Sequence, residues 1–298
     1  MDVKIKNLTF EAVSDAVAEI LKISETTLPK DTLAAINRAA AKESDTIAKA
    51  QLEAILKNIE IAGEKSVPIC QDTGIFIFFV EIGRDLHLNF DLEGAIRNGC
   101  AKATETVPLR PNVVDPLTRH NTKNNLGDGL PEMNYAFVPG NSLKITVAPK
   151  GAGSENMSAL KMFTPTEIPK IKEFIVKTVL DAGGKPCPPV ILGIGIGGSF
   201  NQSAKLAKVA LLEKLRDPDA EKDPTAENDS DIYDEFEKEI LDAVNDLGIG
   251  CMGLGGDTTA LSVRVKKASC HTASLPVAVN VQCWANRHAT AEYNGGGN

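Results

Sequence analysis

No stretch of this sequence approaches the length of apolar run that crosses a membrane as a helix. Positive charge is also in deficit: 32 Lys and Arg stand against 40 Asp and Glu, a formal net charge of −8, and the pI is near 5.2. Phosphate backbones are bound by basic faces, so nucleic acid is not expected as a principal partner. The opening residues, MDVKIKNLTFEAVSDAVAEI, mix acids into an amphipathic pattern and fit neither a signal peptide nor a transit peptide. No Cys-x-x-Cys pair occurs, which removes the ordinary zinc-ribbon and thioredoxin readings. Internal repeats are missing, as is any Gly-, Pro- or Ser-rich linker that would mark a boundary. These absences predict a soluble, cytoplasmic protein folded as one module over residues 1–298, with residues 1–66 as its helical N-terminal region.

What is present supports a folded core. Of the 298 residues, 43% are hydrophobic and 24% charged, a balance that argues against wholesale disorder. Apolar residues recur at helical spacing in LTFEAVSDAVAEILKI and TIAKAQLEAILKNIEIA, with Pro29-Lys30-Asp31 as breaker and restart. The run GIFIFFVEIG at 74–83 reads as a buried strand, and LEGAIRNGCAKATETV as a helix. From Pro108 to Gly153 the chain reads as loop apart from the strand SLKITVAP. Beyond it come a helix (TEIPKIKEFIVKTVLDAGG), a strand entering a glycine turn (PPVILGIGIGG) and a second helix (SFNQSAKLAKVALLEKL). The segment 213–239 holds twelve acids against four bases and reads as a solvated loop leading into the helix DIYDEFEKEILDAVNDLG. ALSVRVKKA and SLPVAVNVQCWANRHATAEY read as strands. The predicted class is mixed α/β (α+β): a helical N-terminal region, then a mixed sheet with flanking helices and loops converging on one cleft.

Six cysteines are present: Cys70, Cys100, Cys187, Cys251, Cys270 and Cys283. A chain this long needs no disulfide staples, and most free cysteines are simply small buried hydrophobes. Three segments set a cysteine among turn-forming and polar residues: PICQDTG, GGKPCPPV and CHTASLPVAVNVQCWANRH. A thiolate on such a turn can point into a cleft, and soft thiolates suit iron–sulfur clusters. Three thiolates on a four-iron cube would leave one iron open as a Lewis acid. The spacing of these cysteines is not diagnostic by itself.

The sequence also holds a literal G-x-G-x-x-G at Gly193, Gly195 and Gly198, in the strand-to-helix context of a dinucleotide site. The helix leads into an acidic loop rather than into a second strand ending in Asp or Glu. The glycines are therefore better read as close helix–strand packing than as an NAD(P) site.

Taken in order, PICQDTG, LRPNVVDP, APKGAGSEN, LGIGIGGSF, GLGGDTTAL and CHTASLPVAVNVQC resemble the motifs of the class I (iron–sulfur) fumarate hydratases, and less closely those of the α subunit of L-tartrate dehydratase. The resemblance runs over essentially the whole chain. It implies that Cys70, Cys187 and Cys283 bind a [4Fe–4S] cluster, with Gln71 and Asp72 facing the substrate beside it. It implies further that Arg110 clamps a substrate carboxylate, that Gly153 offers a backbone N–H, and that His271 hydrogen-bonds the substrate carboxylate. Cys100, Cys251 and Cys270 remain as packing residues. Each role has a plain structural counterpart: Asp72 can cap a turn, Arg110 can sit in a surface ion pair, and a lone histidine is commonly structural.

The implied reaction is reversible hydration of fumarate to (S)-malate, with Asp72 and His271 as the catalytic candidates. The sequence ends soon after Cys283, which resembles an α subunit that works with a separate β subunit in an α/β hetero-oligomer. The alternatives are an L-tartrate dehydratase α subunit, or else a non-catalytic iron–sulfur protein or an NAD(P)-binding protein using GIGIGG.

Overall fold

The computed structural model describes residues 2–216 and 230–295. In chain order its elements are β1 (Asp2–Lys4), α1 (Phe10–Thr26), α2 (Lys30–Lys42), α3 (Thr46–Lys65), β2 (Ile75–Gly83), α4 (Leu92–Thr106), β3 (Glu132–Val138), β4 (Leu143–Lys150), the short α5 (Ala152–Glu155), β5 (Ala159–Phe163), α6 (Ile171–Ala182), β6 (Val190–Gly197), α7 (Phe200–Ala210), α8 (Ser230–Asn245), β7 (Ala260–Ala268), β8 (Leu275–Gln282) and β9 (Ala289–Tyr293). The mixed α/β class expected from the sequence is what is observed. The chain divides into two units. The first comprises Met1–Pro29, Asn58–Gly151 and Arg287–Asn298; the second comprises Lys30–Lys57 and Ala152–Asn286.

The first unit is a five-stranded sheet in the order β1-β9-β4-β2-β3, covered by α1 and α4. Helix α1 begins where the Thr9 hydroxyl accepts the Ala12 N–H at 3.2 Å, and its buried stripe runs Val13, Val17, Ile20, Leu21. It meets α4 at Gly99, where a side chain would stand 2.6 Å from the Val17 Cβ, so only glycine allows that approach. Strand β2 pairs antiparallel with β4 and parallel with β3. Its Phe76 and Phe78 are fully buried among Ile96, Leu143 and Ile145.

Two strands of this unit depart from the sequence expectation. The region 108–153 holds β3 as well as the expected β4, and the chain starts with β1 rather than a helix. Both are edge strands. Tyr135, Ala136 and Phe137 of β3 are exposed, and without a buried face there is no apolar alternation to read.

The second unit carries a four-stranded sheet, β5-β8-β6-β7. β6 runs parallel to β7 and antiparallel to β8, and is buried along nearly its whole length. The glycines of the G-x-G-x-x-G run let α7 lie directly on β6. A Cβ on Gly193 would meet the Ala207 carbonyl oxygen at 2.1 Å, and one on Gly195 the Ser203 carbonyl oxygen at 2.0 Å. Close helix–strand packing is thus what these residues do.

The expected helix from Thr166 resolves into a 3-10 turn over Pro165–Lys170, capped by the Thr164–Glu167 box, followed by α6. Gly183 then ends α6 at φ +54. Short β5 was not expected. Of the acidic segment, residues 217–229 lie outside the described residues, and α8 follows as predicted. None of the described helices is long and apolar enough to cross a membrane.

Candidate functional site

In the first unit the QDTG turn links α3 to β2. Cys70 and Asp72 are half-buried, Gln71 is exposed and Thr73 is fully buried. The Asp72 Oδ1 accepts the Gly74 N–H at 2.9 Å, so the ordinary turn-capping role of an Asp is met. The rest of the carboxylate lies against Gly151, where an added Cβ would stand 3.0 Å from Oδ2. Gly74 has φ +72, and its missing side chain leaves room for the Lys150 backbone, 2.6–2.7 Å from where a Cβ would sit. Gly74 is therefore required both by contact and by its positive φ, whereas a side chain at Gly151 would press on the Asp72 carboxylate.

The same turn is bonded to the LRPN loop. The buried Thr73 hydroxyl accepts the Arg110 N–H at 3.1 Å and faces the Arg110 carbonyl oxygen at 3.4 Å. Asn112 Nδ2 donates to Thr73 Oγ1 at 3.2 Å and to the Gly74 carbonyl at 3.0 Å. Asn125, 1% exposed and at φ +59, accepts the Asn112 N–H at 2.7 Å and donates to the Arg110 carbonyl at 3.0 Å. Backbone at Arg110 is thereby fixed beside Asp72 while the Arg110 side chain stays exposed. A guanidinium held so is suited to a planar carboxylate.

Beneath the QDTG turn stands a pair that the sequence did not reveal. Arg287 donates through one terminal nitrogen to Glu25 Oε2 at 2.5 Å and through the other to the Asp72 carbonyl at 2.9 Å. Burial pushes the Glu25 carboxyl up to about 7; Arg287 opposes the rise and the Asp72 carboxylate adds to it. The available signal was local. Glu25 continues the i, i+4 series Val13, Val17, Leu21 on the apolar face of α1, where a charge needs a partner.

In the second unit three of the singled-out positions share one end of the sheet. Cys187, exposed and at φ +55, lies just before β6; Cys283 follows β8; Gly153 lies in α5, just before β5. The β6–β8 register sets Ile191 opposite Gln282, and Glu155 accepts a 3.0 Å bond from Asn280 of β8. The Trp284 N–H reaches the Cys187 carbonyl at 3.5 Å, so the two cysteine turns are adjacent. The buried Gln282 amide donates to the Cys283 sulfur at 3.4 Å.

His271 is at the other end. It sits on the turn before β8, whereas Cys283 follows that strand, and eight residues of strand span roughly 26 Å. Its Nδ1 accepts the Ala273 N–H at 3.1 Å, which leaves Nε2–H as an outward donor in the neutral ring. The structure therefore sets His271 and Cys283 at opposite ends of β8.

The donor chemistry separates the six thiols. Cys100 and Cys251 are fully buried, Cys100 within the apolar core of the first unit. Burial pushes the Cys100 thiol far up, and pushes Cys251 up to about 11 with Glu43 adding to the rise, so both stay protonated and unsuited to metal. Their reading as packing residues holds. Cys270 is exposed, past the end of β7, and cannot be a packing residue, which corrects that expectation. Cys70, Cys187 and Cys283 are accessible and lie on turns, as cluster ligands require. Among the described residues no three His, Cys, Asp or Glu side chains are gathered as a single-ion site.

Comparison with known proteins defines the class and then the family. The matching class is the hydro-lyases. Residues 14–292 match the family described as "Fumarate hydratase (Fumerase)", and the chain belongs to that family. It is 48% identical over 282 residues to the "Putative L(+)-tartrate dehydratase subunit alpha" of Methanocaldococcus jannaschii, covering 93% of this chain and 96% of that protein. It is 32% identical over 288 residues to the "Putative fumarate hydratase class I" of Geobacillus stearothermophilus, covering 93% of this chain and 54% of that longer protein. With the "L(+)-tartrate dehydratase subunit alpha" of Escherichia coli K12 it shares 28% identity over 289 residues, covering 96% of this chain and 92% of that protein.

Proposed function

We propose that this hydro-lyase hydrates fumarate reversibly to (S)-malate. The observation that supports the reading is the bonding of the QDTG turn to the LRPN loop, which holds the Arg110 backbone against the turn that carries Cys70 and Asp72. In this reading Cys70, Cys187 and Cys283 hold a [4Fe–4S] cluster. When bound, such a cluster supplies one open iron as a Lewis acid. Arg110 clamps a carboxylate of the substrate, and Gln71 and the Gly153 N–H orient it. Withdrawing the proton next to that carboxylate builds negative charge on it, which Arg110 stabilises. Asp72 takes part in the proton transfer. His271 enters from a second copy of the chain, because the length of β8 separates it from Cys283.

The other half of the site lies on a β subunit, giving an α/β hetero-oligomer in the cytoplasm, where free thiols persist. This is supported by two relatives being named as α subunits and by the greater length of the Geobacillus protein. A second reading, L(+)-tartrate as substrate, is favoured by the name of the relative at 48% identity. The stretches LRPNVVDPLTRHNTKNN and GLGGDTTAL favour fumarate. The test is kcat/KM of the chain assembled with its partner. Fumarate should be preferred over L(+)-tartrate by at least about 100-fold; the reverse preference would install tartrate instead. The chain without a partner should turn over neither, and robust turnover by it alone would refute the split site.

A further inference from the structure

Glu25 is an expensive residue where it stands. It is 0% exposed, in the last turn of α1, where the helix dipole disfavours a carboxylate. Its Oε1 has no hydrogen-bond partner among the described residues. Arg287, 3% exposed, is buried with it. Buried ion pairs are commonly no more stabilising than well-packed apolar residues, so stability alone does not account for this one.

What the pair does is grip the QDTG turn at both ends. On one side the Glu25 backbone carbonyl accepts the Ile69 N–H at 2.8 Å. On the other, Arg287 carries the Glu25 carboxylate to the Asp72 carbonyl. Cys70 and Gln71 are the two residues held between. Asn58 adds a 2.9 Å bond to the Ile69 carbonyl from α3. A fork of guanidinium donors can serve a carboxylate and a carbonyl together; a single ammonium cannot reproduce that geometry.

We propose that Glu25 and Arg287 are positioning residues that brace residues 69–72, fixing the directions of the Cys70 thiol and the Asp72 carboxylate. The inference rests on the functional reading above for the use of those groups, but the brace itself is a property of the chain before any cluster is added.

The test is amide hydrogen exchange on the full-length chain, read before iron is supplied. In the wild type the Ile69 and Gly74 amides should exchange as slowly as those of β2; exchange at the unprotected rate would overturn the brace. In Arg287→Lys the amides of 69–74 should exchange at least about tenfold faster while β2 is unchanged. The exposed control Lys102→Ala should alter neither. Because one removed charge can prevent folding, the double variant Glu25→Gln/Arg287→Met, which strands no buried charge, serves as the second probe. It should fold, exchange quickly at 69–74, and after reconstitution with the partner show kcat reduced at least about tenfold with KM changed less than threefold. A folded double variant with wild-type exchange at 69–74 would overturn the proposal. A wild type that takes up no iron would sink the cluster reading and leave the exchange result standing.

Discussion

The two cysteine-bearing regions are held by different means. Besides the Ile69–Glu25 backbone bond, the Cys70 turn is fixed by side chains: Thr73, Asn112, Asn125, Asn58 and Arg287 each bond to backbone around it. The Cys187 turn is fixed by backbone. Cys187 N–H bonds the Gly184 carbonyl at 3.2 Å, Met252 N–H the Pro188 carbonyl at 2.8 Å, and Gly184 packs on Gly253 so closely that a Cβ on the latter would stand 2.6 Å from the Gly184 Cα. Side-chain bracing can be tuned residue by residue and leaves polar groups able to reorganise. Backbone bracing is stiffer and intolerant of any added atom. In the proposed reading the acid sits on the tunable turn and the guanidinium on the loop bonded to it, while the other region would supply two thiols and an N–H.

That contrast can be broken at several points. The largest effect is expected at the group itself. Asp72→Asn keeps the acceptor for the Gly74 N–H but removes the charge, so kcat should fall about 10²- to 10⁴-fold while iron content stays at the wild-type level. Unchanged turnover would reduce Asp72 to a turn cap.

Next is the pH dependence contributed by Glu25. Its folded value, about 7, lies above the ordinary 4.5, so the folded state holds the proton through that interval and the unfolded state does not. Its contribution to stability is therefore fully present below about pH 4.5 and is lost as pH rises through about 7. Urea unfolding should show Glu25→Gln gaining on the wild type by about 3 kcal/mol between pH 4 and pH 8. Parallel curves would mean that Glu25 is ionised throughout.

On the backbone-held turn, Gly253→Ala forces a Cβ against Gly184 at a position with φ +75. It should cost about 2 kcal/mol in thermal unfolding and lower iron uptake. Wild-type stability would show that the 184/253 approach is not tight. The smallest effect is expected from Thr73→Val, which keeps shape and removes the hydroxyl. It should cost about 1 kcal/mol and raise KM through Arg110, with kcat little changed. A loss in kcat alone would place Thr73 in the chemistry instead.

Much of the fold was legible because its central strands are. PPVILGIGIGG is buried on both faces and GIFIFFVEIG on one face and part of the other, so both read as continuous apolar runs, and α1 and α4 show a clean 3.6-residue stripe. Strands β1, β3 and β5 were not legible, being short or edge segments whose order comes from their neighbours rather than from their own pattern. Cys100 and Cys251 are buried as packing residues should be, and Cys270 is not. The Glu25–Arg287 pair could not be read because its partners are 262 residues apart and only the fold brings them together. The separation of His271 from Cys283 was legible, since the strand SLPVAVNVQ was read between them.

The most direct test of the account is iron and acid-labile sulfide analysis with an anaerobic visible spectrum, on the chain assembled with its partner. Wild-type protein and the Cys270→Ser variant should show the broad thiolate–sulfide absorption. Cys70→Ser, Cys187→Ser and Cys283→Ser should each lose it together with turnover. Retention of full iron and activity in any of those three, or an iron-free wild type that still hydrates fumarate, would contradict the account.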